Sequence, residues 1–361
     1  MNKKIYTTII GSGSYIPELS VNNDYFLNST FYDPKTRKPI DKDNEEVIEK
    51  FKEITNISER RWAKPDQMTS DLGALASLDA IKSTGIDPES LDFIIVGHNF
   101  GNIEGDTNRP MLIPNIAARV KQQLNIKKPG TIAFDVLAGC PGWVQALIVA
   151  DALIKSGNYN RGLVVGADVN SRVGDPFDRD CMIFADGAGA VVVEGTLSET
   201  PVGILSHAAR TDAVAFAELL VQEHSLNPND DQDRRYIRMQ GHKVYVYALQ
   251  NVPGVAKEAL DKANLSLTDI KKVLIHQANE KMDEAICQRL MKLYHIKGDT
   301  HDIMPMTISE LGNTSAATIP TMYDMIKKGK MNGHEIKSGD NIIFTSVGSG
   351  MNINAVIYKE I

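Results

Sequence analysis

Short runs of β-branched and apolar residues alternate along this chain with longer stretches whose apolar positions recur every three to four residues. The first kind of segment predicts strands at Phe93–Gly97, Thr131–Val136, Gly162–Gly166, Ala190–Glu194, Val273–Ile275, Ile342–Ser346 and Ile353–Tyr358. The second predicts helices at Asp71–Ser83, Asn115–Gln123, Trp143–Lys155, Val246–Ala263 and Asp283–Leu293. Strands alternating with helices are the pattern of βαβ units around a mainly parallel sheet, so the class is α/β. The apolar run Ile5 to Ile10 is broken by Thr7 and Thr8 and ended by Gly11, too short for the apolar core of a signal peptide. No apolar stretch approaches the roughly 18 residues of a membrane span. The segment Asn28–Glu45 is polar, contains Pro34 and Pro39 and has no period, which predicts a surface insertion.

The same pattern occurs twice. Leu91 to Phe100 has a counterpart in Ile270 to Asn279: a charged lead-in, an apolar strand, then a polar turn at its carboxyl end, with a helix after it. A strand ending in a small-residue turn and a buried helix follows, as Ala133 to Gly142 in one half and Met304 to Ala317 in the other. A further strand closes each motif, Gly162 to Asp168 and Asn341 to Gly348. In this superposition Cys140 is equivalent to Asn313, and Gly97 to His276. The division falls near residue 199, giving halves 1–198 and 199–361. A duplicated α/β unit brings such turns together at strand carboxyl ends, where open α/β sheets hold their ligands.

Composition narrows the function. At 361 residues, 42% hydrophobic and 24% charged, the chain is long enough for a large core and is neither disordered nor fibrous. Thirty-nine Lys and Arg against 46 Asp and Glu leave a net charge of −7, the wrong sign for holding nucleic acid through a bulk field. The 3 cysteines, Cys140, Cys181 and Cys287, are an odd number at scattered spacings and match neither a disulfide framework nor a metal cluster, as expected of a reduced cytoplasmic protein.

Three polar residues could carry chemistry. Cys140 lies in Gly139-Cys-Pro-Gly142, where Gly139 permits a sharp turn and Pro141 suits the first position of a helix. That places the sulfur at a helix N-terminus, where the macrodipole is expected to lower the thiol pKa; a small buried hydrophobe is the competing reading. His276 stands where a buried strand emerges, and can be a core histidine or an acting one. Asn313, in a glycine turn entering a small-residue helix, can be a helix cap or a donor. Cys181 and Cys287 lack such a setting, and Gly11-Ser-Gly13 lacks the third glycine of a phosphate loop.

Taken together, Gly139-Cys-Pro-Gly142, Ile275-His-Gln-Ala-Asn279 and Leu311-Gly-Asn-Thr-Ser-Ala-Ala317 resemble the three active-site blocks of the β-ketoacyl-[acyl-carrier-protein] synthase III family. Ala185-Asp-Gly-Ala-Gly-Ala190, Asp175-Pro-Phe-Asp-Arg179 and Ile10-Gly-Ser-Gly-Ser-Tyr-Ile-Pro17 extend the resemblance over nearly the whole chain. It implies a thiolase fold, two βαβαβαββ halves in a five-layered αβαβα arrangement. It also implies a homodimeric acyltransferase of fatty acid biosynthesis without a bound cofactor or metal, and with no membrane partner. Cys140 would take an acyl group from acyl-CoA or an acyl-carrier donor, and the carbanion of decarboxylating malonyl-acyl-carrier-protein would attack it. His276 and Asn313 would hold the enolate, and the Ser349–Gly350 turn would form an oxyanion site. Gln277, Lys281 and Arg289 would face the acyl carrier protein, Arg172 the CoA, and Ile113 and Val347 the acyl chain. Cys-His-Asn distinguishes the chain from the elongating synthases, which resemble Cys-His-His.

Two features depart from that pattern. Lys50 and Ile54 stand where acetyl-CoA-using members carry a tryptophan and an arginine, and the insertion near 28–45 is extra. Both leave room for a second expectation, a specialised enzyme that joins two acyl chains in dialkylresorcinol or cyclohexanedione metabolism. A catalytically silent acyl-binding homologue would have no reason to keep all three polar residues.

Overall fold

The computed structural model describes residues 3–105 and 107–361. Five strands form the first sheet: β1 (Lys4–Tyr15), β2 (Phe93–His98), β3 (Ile132–Leu137), β4 (Arg161–Val169) and β5 (Asp186–Ser198), in the order β1-β5-β4-β2-β3. Four form the second: β6 (Gly203–Thr211), β7 (Ile270–Ile275), β8 (Asn341–Gly348) and β9 (Asn352–Lys359), in the order β6-β9-β8-β7. β2 runs parallel to β3 and β4, β7 runs parallel to β8, and the remaining pairs are antiparallel. Strand for strand, the second sheet repeats the first up to its last member.

That missing member corrects one expectation. Among the described residues no strand counterpart of β3 forms over Met304 to Met306; one backbone bond, from the Val273 amide to the Ile303 carbonyl at 2.8 Å, joins β7 to the start of this segment. Pro305 has no N–H to continue a ladder, so the segment passes the sheet edge as an irregular connection.

The helices explain the layers. α1 (Asn44–Thr55) packs beside the sheets, while α2 (Thr69–Thr84) and α3 (Ile116–Gln123) cover the outer face of the first sheet, placing Leu72, Ala76 and Val120 against Ile94, Val96 and Val165. α4 (Gly142–Lys155) and α7 (Thr318–Lys327) lie between the sheets, with Trp143, Leu147, Met322 and Tyr323 buried among Phe93, Ile95, Phe344 and Tyr358. α5 (Gly241–Ala263) and α6 (Glu280–Leu293) cover the outer face of the second sheet through Val252, Ala256, Ile286 and Leu290. Phe93 and Ile95 point inward while Ile94 and Val96 point outward, the period of two that a strand covered on both faces requires. The result is the five-layered αβαβα thiolase arrangement.

Two glycine positions show how closely the first half packs its helices on its sheet. A Cβ on Gly97 would stand 2.3 Å from the Gly142 carbonyl carbon, so β2 can pass under α4 only as glycine. A Cβ on Gly13 would meet the Ala80 backbone nitrogen at 2.2 Å, which makes Gly11-Ser-Gly13 a strand surface for α2 rather than a loop.

The 28–45 segment is not wholly on the surface. Phe31 is buried with Val47, Phe51 and Met182, the Tyr32 amide donates to the Phe177 carbonyl at 2.8 Å, and Asp43 caps α1 by accepting from the Glu45 amide. One aromatic anchor and a capped helix tie down what reads as polar and aperiodic.

Candidate active site

Cys140 follows the end of β3 through a turn that only glycine makes easily. Gly139 has φ +66°, and a Cβ there would meet the Ser349 hydroxyl at 2.7 Å. Pro141 stands one position ahead of α4, at its cap, and the Gln145 amide donates to the Pro141 carbonyl at 2.9 Å. From the second half the turn after β8 closes over the sulfur: a Cβ on Gly348 would lie 2.9 Å from the Cys140 amide nitrogen.

The thiol does not behave as its place at a helix start predicts. Burial, opposed by a hydrogen bond from Ser315, and the nearby Asp168 carboxylate push it up to about 11. Desolvation of the charged form outweighs the dipole here. The Ser315 hydroxyl donates to Sγ at 3.3 Å.

His276 continues β7 by donating its backbone N–H to the Thr345 carbonyl at 3.0 Å. Its ring is buried and Nδ1 has no partner among the described residues. Burial lowers its pKa to about 4, so the imidazole is neutral at physiological pH and can offer one N–H. A thiolate–imidazolium pair is therefore not the resting state.

Asn313 is held by its backbone, which donates to Ile183 O at 3.0 Å and accepts from the Ala185 amide at 3.0 Å. Its Oδ1 accepts from the Ser315 amide at 2.8 Å, the capping role, and this leaves Nδ2 as the donor for a guest. The capping reading is thus observed, and it is compatible with the donor reading.

Cys140, His276 and Asn313 line one cavity of about 330 Å³, together with Val347 and Ser349. Its remaining wall includes Leu137, Phe184, Leu220, Val221, Ile237, Met239 and Val244. Several of these come from a hairpin, Leu220–Glu223 with Tyr236–Met239, that has no sequence motif. Gly350, φ +119°, completes the turn beyond Ser349.

The other candidates separate. Gln277 is fully buried, with Nε2 donating to the Pro305 carbonyl and Oε1 accepting from the Thr307 amide, both at 2.8 Å, so it fixes the missing-strand connection and cannot meet a carrier protein. Arg172 is consumed by backbone carbonyls, with Nη2 donating to Lys64 O at 2.8 Å and Nη1 to Ile103 O, and it lines a different cavity of about 740 Å³. Ile113 is 90% exposed and is absent from the cavity wall of the single chain. Lys281 and Arg289 are exposed on α6, but Lys281 shares its hollow with Glu49, Glu53, Glu280 and Glu284. Among the described residues no cluster of His, Cys, Asp and Glu could hold a metal ion, and no helix is long and apolar enough to cross a membrane.

Sequence reasoning missed Ser315, Asn99 and Asp168. The one signal available was Asp168, a carboxylate directly after an apolar strand core.

The fold, with a cysteine, a histidine and an asparagine on one apolar cavity between its duplicated halves, defines a condensing enzyme of the thiolase superfamily. The family description 3-oxoacyl-[acyl-carrier-protein (ACP)] synthase III matches residues 134–213, and that of its C-terminal part matches residues 260–359. The 3-oxoacyl-[acyl-carrier-protein] synthase III of Aquifex aeolicus VF5 is 32% identical over 98% of this chain and 99% of that one, with a TM-score of 0.76. The enzyme of the same name from Pseudomonas aeruginosa PAO1 is 26% identical over 98% of each chain, with a TM-score of 0.79. The priming β-ketosynthase of the R1128 polyketide pathway is 25% identical over 100% of this chain and 98% of that one, also with a TM-score of 0.79. The chain belongs to the 3-oxoacyl-[acyl-carrier-protein] synthase III family.

Proposed function

We propose that this protein condenses an acyl thioester with malonyl-acyl-carrier-protein, with loss of carbon dioxide, to give a β-ketoacyl-carrier product. Sγ of Cys140 attacks the acyl carbonyl and displaces the carrier thiol, which takes the cysteine's proton. The backbone N–H groups of Cys140 and the Ser349–Gly350 turn stabilise the tetrahedral oxyanion. Malonyl-carrier then loses carbon dioxide while His276 and Asn313 Nδ2 donate to the thioester oxygen on which the enolate charge develops. The carbanion attacks the acyl carbonyl of acyl-Cys140 and expels the Cys140 thiolate, which takes a proton from solvent. The observation that carries this reading is the convergence of Cys140, His276 and Asn313 on one apolar cavity, two from the second half and one from the first.

The halves 1–198 and 199–361 work as one catalytic unit in a cytoplasmic homodimer of fatty acid biosynthesis. No cofactor is permanently bound, acyl carrier protein docks by Arg289 and Lys281, and Ile113 reaches an acyl site only across the dimer. A second reading has an observation behind it: with Arg172 tied to backbone carbonyls and Lys50 and Ile54 exposed, no ready adenine clamp faces solvent. That favours an acyl-carrier or longer acyl donor, as in the specialised enzymes that join two acyl chains.

Intact-protein mass spectrometry of wild type and Cys140→Ala with acetyl-CoA, a longer acyl-CoA or a 3-oxoacyl thioester tests both. An acetyl adduct on wild type alone identifies a chain initiator, and labelling only by longer or 3-oxoacyl donors identifies the specialised class. Equal masses in wild type and mutant with every donor overturn the covalent mechanism.

A further inference from the structure

Ser315 has a backbone that its residue type does not favour. Its φ is +53°, in the left-handed region where glycine is at ease, yet the position carries a hydroxymethyl group. That group is fully engaged. The hydroxyl donates to Cys140 Sγ at 3.3 Å and accepts from Asn99 Nδ2 at 2.5 Å. Asn99 in turn is locked by Asp168: its backbone N–H donates to Oδ1 and its Nδ2 to Oδ2, both at 2.8 Å. Both hydrogens of the Asn99 amide are then spent, one on the carboxylate and one on the serine, so the serine hydroxyl accepts from Asn99 and turns its proton to the sulfur, with the Asp168 carboxylate as the competing acceptor.

We infer that Ser315 is a hydrogen-bond donor that stabilises the Cys140 thiolate, and that Asn99 and Asp168 are positioning residues that hold its hydroxyl beside the sulfur. This rests on the reading of Cys140 as the nucleophile. A hydrogen bond to the charged form offsets part of the desolvation that burial imposes on the thiolate, and an oriented donor has no reorganisation cost when the charge appears. Asp168 orients rather than attracts, since its own charge disfavours a thiolate. Its fixed place at the carboxyl end of β4, with the Ala316 amide donating to Oδ2 at 3.2 Å, also anchors the serine turn itself.

The test is the pH dependence of Cys140 alkylation by iodoacetamide, read by intact mass against a Cys140→Ala background, for wild type, Ser315→Ala, Ser315→Gly and Asn99→Ala. The titratable groups facing the sulfur are Asp168, raised to about 6, and His276, lowered to about 4, with His98 beside Asp168; above pH 7.5 the profile therefore reports the thiol. Loss of the donor is expected to move the profile up by about one unit and to slow alkylation at pH 8 about tenfold in both Ser315 variants. Asn99→Ala should slow it about threefold, because a free hydroxyl still meets the sulfur part of the time. Ser315→Gly separates chemistry from architecture. Glycine suits φ +53°, so this variant should melt no lower than wild type while losing the effect. A wild-type alkylation profile in Ser315→Gly, or a melting point well below wild type, overturns the inference. Failure of the condensing-enzyme reading looks different: wild type would then take no acyl mass, with the alkylation profiles unchanged.

Discussion

The Cys140 turn of the first half and the Asn313 turn of the second occupy the same place in a duplicated unit and do opposite things. The first follows a regular strand, β3, and places a single sulfur at the mouth of α4. The second follows no strand, because Pro305 breaks the ladder, and its backbone is pinned instead to Ile183 and Ala185 of the other half. The neighbouring pair differs in the same sense. At Gly97 the first half can carry no side chain, whereas its equivalent, His276, projects an imidazole into the cavity. On the function proposed above, duplication supplied two similar turns and divergence divided the labour: one half attacks, the other stabilises charge.

The largest expected effect breaks the comparison at its chemical end. Cys140→Ala should abolish acyl labelling and lower condensation by 10³-fold or more, on the order of removing any covalent nucleophile. Asn313→Ala should leave acylation of Cys140 close to wild type and slow decarboxylation by about 10²–10³-fold, the usual cost of one oxyanion donor. Mass spectrometry reads the first half-reaction and carbon dioxide release the second. Equal loss of both half-reactions in Asn313→Ala would end the division of labour.

Next comes the steric side of the same pair. Gly97→Ala drives a methyl group into the Gly142 and Trp143 backbone, where contacts of 2.3–2.6 Å leave no room. A loss of roughly 3 kcal/mol in chemical denaturation is expected, since neither β2 nor the buried start of α4 can shift freely. His276→Gly, in the second half, should cost far less stability than activity.

The protonation of His276 sharpens the contrast further. The imidazole is neutral in the folded chain down to about pH 4, while in the unfolded chain it takes a proton near its ordinary value of 6.5. The unfolded state therefore binds more protons between those values, and stability is lost as pH falls from 6.5 through 4. The full difference is worth roughly 3 kcal/mol. A His276→Gln variant should show a correspondingly shallower loss between pH 6.5 and 4 in denaturant titrations. An unchanged slope would mean that the ring is protonated in place.

Much of this was legible in residues alone. Ile94 and Val96 against Phe93 and Ile95 declare a strand covered on both faces, and three short motifs mark Cys140, His276 and Asn313. What stayed hidden depends on neighbours distant in the chain. The helix-start position of Cys140 is a local property and predicts a lowered thiol pKa; the burial that reverses it comes from β8 and the Ser315 turn, some two hundred residues away. Gln277 reads like a surface neighbour of the histidine, but it satisfies Pro305 and Thr307 where a strand is missing. Arg172 matches a pattern for binding a cofactor, yet its donors are spent on Lys64 and Ile103. Ser315, Asn99 and Asp168 belong to three different segments, and only their meeting gives them a role.

The smallest expected effect lies on the helix that follows His276. Lys281 is exposed, and the glutamates at 49, 53, 280 and 284 outnumber it and Lys52 in their shared hollow, so its attraction for an acidic carrier protein is weakened at short range. Arg289, two turns further along α6, has no such ring and donates only to the Leu249 carbonyl at 3.3 Å. If docking follows the field rather than the motif, Arg289→Glu should raise the KM for malonyl-carrier more than Lys281→Glu does. Exposed charges act mainly on encounter and are screened by salt, so about fivefold and about twofold are expected at low ionic strength. Both effects should fade near 0.5 M salt, where the screening length falls to roughly 4 Å. A larger effect at Lys281, persisting at high salt, would instead mean a direct contact made at the cavity mouth, with the surrounding glutamates displaced by the carrier.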